Sequence, residues 1–297
     1  MRMPDPADQH LEPPAFAVGS PGAPPLVVSS YTLGTDVDYQ GRVRAAAAAG
    51  FEGIGLRAEN YWAAKEAGLT ASDMSEIATQ AGVPVREVEY LTNWGQATDR
   101  DAAQQRKEQA VFEMARSFGV SHLNAGLLEM LPSDLIVESF AGLCDRAGPD
   151  LTVALEFMPY SGIPNLSAAW HILESAGRGN SGLIIDAWHW ARADMTPADL
   201  VYVPADRVIS VQLCDVRAEP MSPMRAESLG HRLPPGRGSG DTVGLVRTLV
   251  RHGIQPRVVT VEVISDALVA AGVDNAANVV ASAARAVLTD ATASPAH

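Results

Sequence analysis

Short apolar runs alternate with longer helix-like stretches along most of this chain. Parallel sheets are covered by helices on both faces, so their strands read as short hydrophobic runs, each followed by a helical crossover. Counting these runs predicts eight strands. They are Leu26–Ser30, Gly53–Arg57, Val85–Leu91, His122–Leu127, Thr152–Phe157, Gly182–Asp186, Val208–Leu213 and Val258–Ile264.

The segments between these strands carry helix start and stop signals. Asp38–Ala49 is rich in alanine and ends before Gly50, while Ala102–Phe118 has helical spacing and ends before Gly119. Because a glycine just past a helix is a common left-handed cap, both segments are predicted helices. The stretch Asp274–Leu288 is predicted to be the last helix of the chain.

This pattern predicts a single α/β domain, a (β/α)₈ or TIM barrel, over residues 25–289. An open doubly wound sheet more often has about five or six strands, and no GxGxxG motif follows the first strand. Residues 1–24 are dense in Pro, Gly, Ala and Asp, so we expect a disordered tail there and a flexible tail over residues 290–297. Residues 216–241, rich in Arg, Pro and Gly, have the length typical of a lid or binding loop.

Charge and cysteine content exclude several classes of function. With 22 Lys and Arg against 35 Asp and Glu, the formal net charge is −13, which repels phosphate backbones and anionic lipid. Cys144 and Cys214 fall in a predicted helix and a buried strand, so neither a disulfide framework nor a thiolate metal site is expected. The N-terminus lacks a secretory signal, and no apolar run approaches the roughly 20 residues that span a bilayer. We therefore expect a cytoplasmic enzyme with a small-molecule substrate and no nucleic-acid or membrane partner.

Four strands in the C-terminal half each contain one polar residue within an apolar run. These residues are Glu156 in VALEF, Asp186 in LIIDAWHW, Gln212 in VISVQLCD and Glu262 in VVTVEVI. Because parallel strands are covered on both faces, a carboxylate within one must be paired, protonated or bound to a cation.

Strands five to eight of a barrel are neighbours, and their carboxyl ends meet at the mouth where active sites of this fold lie. We therefore expect the four side chains to converge. Three carboxylates and one amide form an oxygen-only ligand set that suits one Mn²⁺ or Mg²⁺ ion, while Co²⁺ and Zn²⁺ remain compatible. The alternative is that each acid is satisfied separately by an Arg or Lys in a barrel-core salt bridge.

The order of these motifs resembles that of the xylose-isomerase-like sugar isomerases and epimerases. The shared order is Glu in strand five (Glu156), Asp-x-x-His after strand six (Asp186 and His189), a ligand followed by x-x-Asp in strand seven, and Glu in strand eight (Glu262). The strand-seven ligand of that family is commonly His, whereas this chain has Gln212. Bacterial 3-dehydroshikimate dehydratases, which are similar in fold, have Gln at this place and pair it with a catalytic histidine that matches His189.

The resemblance implies removal of a proton next to a carbonyl group. Glu156 and Glu262 would be metal ligands that also serve as acid and base, and His189 would be a base or a hydrogen-bond partner of the substrate. Return of the proton gives isomerisation or epimerisation of a small polyhydroxy compound, which is the leading hypothesis. Loss of a β-hydroxyl gives dehydration, the lyase alternative.

Candidate substrate-binding residues come from earlier strand ends and from the long loop. Arg57, Glu89 and Asn124 lie at or near the carboxyl ends of strands two, three and four, where structural ion pairs are an equal alternative. The loop supplies Arg217 and Arg232, whose guanidinium groups suit a substrate carboxylate or phosphate. A solvated basic loop is the alternative interpretation. Arg225, His231 and Arg237 lie in the same loop.

Two further classes of protein share this fold. A nuclease like endonuclease IV needs more histidine ligands and a basic face, which this chain lacks. A non-catalytic barrel that binds a partner or ligand would retain no divalent ion, so metal content separates it from the enzymes. Relatives of this fold often form dimers or tetramers, so a homo-oligomer is compatible with the sequence.

Overall fold

The computed structural model describes residues 16, 22–95 and 101–293. Eight parallel strands close into one barrel in sequential order, and β1 pairs with β8 through Leu26 and Val259. The strands are β1 Leu26–Val28, β2 Gly53–Arg57, β3 Val85–Leu91, β4 His122–Gly126, β5 Thr152–Glu156, β6 Ser181–Asp186, β7 Val208–Leu213 and β8 Val258–Val261. The predicted (β/α)₈ barrel is confirmed.

Helices surround the barrel and connect its strands. The described residues form α1 Tyr39–Ala48, α2 Ala58–Glu66, α3 Ala71–Gln80, α4 Ala102–Phe118, α5 Ser133–Ala147, α6 Leu166–Ala176, α7 Ala187–Arg192, α8 Met224–Gly230, α9 Thr242–Arg251, α10 Asp266–Ala270 and α11 Val273–Thr292. Short 3₁₀ helices occur at Ser30–Leu33, Pro197–Leu200 and Ala205–Arg207. None of the described helices is both long enough and apolar enough to cross a membrane.

Local signals explain the bounds of α4. The side chain of Asp101 accepts a hydrogen bond from the backbone N–H of Gln104, which satisfies one of the free donors of the first turn. At the other end Gly119 has φ 67°, a left-handed conformation that a side chain would strain. The predicted bounds of this helix and of β2, β3 and β7 agree with the structure.

Other predicted bounds differ. Segment 216–241 contains the helix α8, and α11 continues to Thr292, which is three residues into the predicted C-terminal tail. Within the predicted N-terminal tail, Phe16 is buried in the core, whereas residues 1–15 and 17–21, like residues 294–297 at the other end, lie outside the described residues. Strand β8 ends at Val261, so Glu262 is the first residue beyond it.

The interior of the barrel contains a buried polar layer centred on Glu87 of β3. Its two carboxylate oxygens accept hydrogen bonds from Ser210 of β7 and Thr260 of β8, both at 2.8 Å. His122 of β4 places Nε2 3.6 Å from Glu87 Oε1. Burial by itself raises the pKa of Glu87, but the His122 imidazole together with hydrogen bonds from Asn124 and Ser210 holds this pKa below its ordinary value.

Candidate functional site

A pocket opens at the carboxyl ends of the strands. Strand ends and the loops that follow them provide one wall, and α8 provides the other. The residues that line the pocket include Tyr31, Arg57, Tyr90, Glu156, Met158, Tyr160, His189, Arg225, Ser228, Leu229, Arg232 and Glu262. This is the end of the barrel at which the sequence predicts the site.

All four predicted ligands lie at this end and are buried. Glu156 and Asp186 are the last residues of β5 and β6, and Gln212 is the register partner of Asp186 in β7. Glu262 follows β8 directly. Each of the four is at most 6% exposed. Glu156 and Glu262 line the pocket, whereas Asp186 and Gln212 do not.

Glu156 is held from two sides. The hydroxyl of Tyr90 donates to Glu156 Oε2 at 2.5 Å, and His189 Nε2 lies 3.3 Å from Oε1. Burial and the Glu156 charge both raise the pKa of Tyr90, so this phenol remains a donor. Glu156, Asp186 and His189 each bring one potential ligand atom within 4.8 Å of the others, which is a spacing that a single ion can bridge.

Arg232 occupies a different position from the one the sequence predicts. Its Nη1 lies 2.8 Å from Asp186 Oδ2 and 3.3 Å from Glu262 Oε2. Its Nε and Nη2 donate to the backbone and hydroxyl oxygens of Ser228. Although Arg232 touches the pocket, its guanidinium is committed to protein acceptors, so it orders the site from within and is a poor candidate for a substrate clamp.

The donor atoms fit a hard divalent cation. Gln212 Oε1 is fully buried and accepts no hydrogen bond from any described residue, and such an oxygen is costly unless a cation or water satisfies it. Glu156 Oε1 is also buried without a hydrogen bond from any described residue, and the His189 imidazole lies 3.3 Å from it. The salt-bridge alternative therefore applies in part to Asp186 and Glu262, through Arg232, and does not extend to the amide of Gln212.

A buried serine links Glu262 to a second carboxyl group. Ser29 Oγ lies 3.2 Å from Glu262 Oε1 and 3.3 Å from Glu89 Oε2. Burial, with the charges of Glu87 and Glu262, raises the pKa of Glu89 well above its ordinary value, and burial raises the pKa of Glu262 to about 7. One hydroxyl donates only one hydrogen bond, so both contacts are satisfied when one of the two carboxyl groups is protonated.

The other residues predicted to bind substrate differ in their position relative to the pocket. Arg57 lines the pocket. Glu89 is buried, and Asn124 is a fully buried residue of β4 that belongs to the polar surroundings of Glu87 in the barrel interior. Arg217 is exposed, its carbonyl accepts from Arg192, and it does not line the pocket, so its predicted role has no support in the geometry.

Helix α8 brings to the pocket Ser228 and Leu229, which the sequence does not single out, together with Arg225 of the predicted loop. Ser228 accepts a hydrogen bond from the Tyr160 hydroxyl, and Arg225 and Leu229 face the same space. The helix is anchored through buried Glu227, which accepts hydrogen bonds from Arg192, among others. Trp188 Nε1 and the backbone N–H of Met221 also donate to Glu227. A seven-residue helix that begins after a proline has too short a hydrophobic period to be seen in the sequence.

Two missed residues, Ser29 and Tyr90, had a recognisable signal. Both follow or lie in predicted strands near the carboxyl end, where every polar side chain is a site candidate. Their partners, Glu262 and Glu156, are more than 60 residues away along the chain, so the hydrogen bonds themselves leave no local signal.

Comparison with known proteins gives a consistent result. A family model described as xylose isomerase-like TIM barrel matches residues 43–288. The 3-dehydroshikimate dehydratase of Pseudomonas aeruginosa is 27% identical over 139 residues, which are 46% of this chain and 22% of that protein. This chain therefore spans about a fifth of the length of that curated relative.

Solved structures share the fold at lower identity. The IOLI protein with a bound zinc atom superposes with a TM-score of 0.78 at 18% identity, covering 89% of this chain and 98% of that one. A xylose isomerase domain protein from Alicyclobacillus acidocaldarius gives a TM-score of 0.74 at 19% identity, covering 91% and 99%.

Proposed function

The chain belongs to the xylose isomerase-like TIM barrel family, and we propose that it is a divalent-metal-dependent isomerase or epimerase acting next to a carbonyl of a small polyhydroxy substrate. The observation that carries this proposal is the position of Glu156, Asp186, Gln212 and Glu262 at one end of the barrel, where Glu156, Asp186 and His189 bring potential ligand atoms within 4.8 Å of one another and the buried Gln212 Oε1 has no hydrogen-bond partner among the described residues. Such a set is costly to bury unless it binds something.

The four side chains would hold one Mn²⁺ or Mg²⁺ ion, the cations that oxygen ligands favour. When bound, such a cation polarises a substrate carbonyl and stabilises the negative charge that develops as the neighbouring C–H bond ionises. Glu156 and Glu262 both line the pocket and come from different strand ends, so one can remove a proton and the other can return it.

The surrounding residues support proton transfer. Tyr90 fixes Glu156 from one side, and His189 Nε2 contacts the other oxygen, so the carboxylate has a fixed orientation. Ser29 and Arg232 do the same for Glu262. Two oriented carboxyl groups around one pocket are what epimerisation requires, because the proton leaves and returns on different faces of the carbon.

Dehydration is a second candidate. His189 lies in the pocket lining beside Glu156, and the curated relative whose sequence matches 46% of this chain is a 3-dehydroshikimate dehydratase. In that reaction a single base removes the proton next to the carbonyl, and the β-hydroxyl leaves as water. Gln212, which is the residue that the resemblance connects with such lyases, favours this candidate over a ketose epimerase.

Metal content tests both candidates together. Protein purified without chelator should retain about one divalent ion per chain, and Glu156→Ala or Glu262→Ala should remove it. Glu87→Gln is the matched control, since Glu87 is an equally buried barrel carboxylate that lies outside the predicted ligand set. No retained metal, together with no thermal shift on adding Mn²⁺ or Mg²⁺, would refute the proposal in favour of a non-catalytic barrel.

The two reactions differ in their products. With a panel of ketoses and aldoses in D₂O, an isomerase or epimerase incorporates deuterium next to the carbonyl, which NMR detects. A dehydratase converts 3-dehydroshikimate to protocatechuate, which ultraviolet absorbance follows. Activity of the second kind alone would replace the leading proposal with the lyase.

A further inference from the structure

Arg57 has an unusual environment for a largely buried arginine. Its side chain is 15% exposed and lines the pocket, yet its guanidinium forms no hydrogen bond with any described residue. Arg232, in the same pocket, donates hydrogen bonds from all three of its side-chain nitrogens. Arg57 lines the pocket and its N–H groups have no hydrogen-bond partner among the described residues, so these donors are available to a ligand that enters there.

Two aromatic rings hold the Arg57 guanidinium in place. Its central carbon lies 4.0 Å from the centroid of the Tyr31 ring and 5.3 Å from that of Tyr90. Contacts with aromatic faces restrict the orientation of the planar group and leave its N–H edge available. The guanidinium is therefore oriented before any ligand arrives.

Arg57 has two long ion pairs with carboxylates and no short one among the described residues. Glu59 Oε2 is 3.8 Å away on an exposed side chain whose other oxygen pairs with Lys107 at 2.7 Å. Glu89 Oε2 is 3.6 Å away, and burial raises the pKa of this carboxyl group well above its ordinary value, which favours its neutral form. Neither contact is within hydrogen-bond distance.

A second arginine lines the same pocket. Arg225 of α8 is exposed, lines the pocket, and forms no hydrogen bond or ion pair within the described ranges. Two arginines with free donors therefore border one cavity of a chain whose net charge is −13. An anionic group on the substrate would pair with both arginines, whereas a neutral sugar would offer them hydrogen-bond acceptors without an opposite charge.

We propose that the substrate carries a carboxylate, which Arg57 binds with its planar N–H edge while Arg225 closes the pocket from α8. This inference rests on the proposed function and narrows it, because the substrate class becomes polyhydroxy acids with a carbonyl and excludes neutral sugars. The planar guanidinium fork, fixed between two rings, matches the two oxygens of a carboxylate in one plane.

Calorimetric binding to the Mn²⁺-loaded protein tests the proposal with matched pairs of compounds. D-gluconate is compared with D-glucitol, quinate with methyl quinate, and glucose 6-phosphate with glucose. We expect at least one acid to bind about tenfold or more tightly than its neutral partner. Arg57→Lys, which keeps the charge and loses the fork, should abolish most of this preference and leave neutral compounds unaffected.

Arg106→Lys is the control, since Arg106 also lies over an aromatic ring, 4.5 Å from the centroid of Trp62, but outside the pocket. Equal binding of acids and neutral partners, no binding of any acid at millimolar concentration, or an acid preference unchanged in Arg57→Lys would overturn the proposal. A preference confined to glucose 6-phosphate would replace the carboxylate with a phosphate. A melting curve of each variant verifies that it folds.

The same titrations after chelation separate this inference from the proposed function. If the protein holds no metal but still prefers acids through Arg57, the proposed function fails and the carboxylate site stands. If metal and proton exchange are found without any acid preference, the proposed function stands and the carboxylate site fails.

Discussion

The guanidinium of Arg232 lies 2.8 Å from the carboxylate of Asp186, one of the four side chains predicted to hold a cation. Its Nη1 also lies 3.3 Å from Glu262 Oε2, so one buried positive charge joins two of the predicted ligands. A protein cation thus balances the carboxylates and would repel any metal ion bound beside it.

Arg232→Met is therefore expected to have two effects of opposite sign. Loss of the guanidinium leaves two buried carboxylates unpaired, so the metal-free protein should lose about 3–5 kcal/mol of unfolding free energy. Loss of the repulsion should strengthen Mn²⁺ binding, so Mn²⁺ should raise the melting temperature more in the variant than in the native protein. Calorimetric unfolding with and without Mn²⁺ measures both.

Arg42→Met is the matched control for that experiment. Arg42 is equally buried, but its guanidinium donates to backbone carbonyls, among them those of Ser30 and Val37. It should destabilise the protein without enlarging the Mn²⁺ effect. If Mn²⁺ raises the melting temperature of Arg232→Met by no more than that of the native protein, the Arg232 guanidinium does not compete with Mn²⁺.

Replacing Gln212 by Leu should separate metal binding from stability. The substitution removes a buried oxygen that has no partner among the described residues, so the metal-free protein should be as stable as before or more stable. Mn²⁺ affinity should fall by at least the roughly tenfold that losing even an outer-shell partner costs. Isothermal titration and thermal unfolding give the two values, and unaltered Mn²⁺ affinity would remove Gln212 from the ligand set.

Glu87→Gln should make the protein less stable at neutral pH. Ser210 and Thr260 donate to the Glu87 carboxylate inside the barrel, and hydrogen bonds to a charged group contribute about 1.5–3 kcal/mol each. The pKa of Glu87 is lowered in the folded protein, so its stabilising effect is complete above the ordinary carboxyl value of 4.5. The difference in unfolding free energy between native protein and variant should therefore shrink as the pH falls below that value.

Urea denaturation at several pH values measures this dependence. Glu66→Gln serves as a control, because Glu66 is an exposed carboxylate at the end of α2 that forms no hydrogen bond or ion pair within the described ranges. A difference for Glu87→Gln that grows with acidity would mean that the carboxyl group is already protonated in the folded protein.

Gly55→Ala should disturb the site through Glu89. A methyl group at Gly55 would overlap Glu89 Oε1, and overpacking of this kind costs about 1–3 kcal/mol. In a Glu89→Ala background the methyl group has room, so Gly55→Ala should cost much less there. Thermal unfolding of the two single variants and the double variant completes the cycle, and additive effects would show that the two residues do not interact.

Much of the barrel could be predicted because its signals are local. The run Gly53–Arg57 is apolar and bounded by turn chemistry, and Asp101 and Gly119 mark the ends of α4. Helix α8 had no such signal, because its seven residues lie among prolines and arginines in a segment that reads as a loop. This helix is stabilised by a tertiary contact, since Glu227 accepts a hydrogen bond from Arg192 of α7.

The sequence predicts where in the barrel the candidate ligands lie, but it does not predict which side chains they contact. Strand order alone places Glu156, Asp186, Gln212 and Glu262 at one end of the barrel. Sequence order does not say which acid meets which base, so Arg232 was expected to face a substrate, whereas it lies against Asp186. For the same reason the buried layer around Glu87 was not expected, although Glu87 and Glu89 share the inward face of β3 by simple alternation.

The anchoring of α8 through Glu227 has an evolutionary consequence. This helix is bonded to α7 and contributes Arg225, Ser228 and Leu229 to the pocket, whereas three of the four candidate cation ligands lie within strands and the fourth directly follows one. Substitutions at Arg225 and Leu229 can therefore change the pocket wall and leave the candidate ligands in place, whereas Ser228 also accepts hydrogen bonds from Arg232. Proteins that descend from a common ancestor can acquire different pockets in this way through substitutions at a few residues of one short helix.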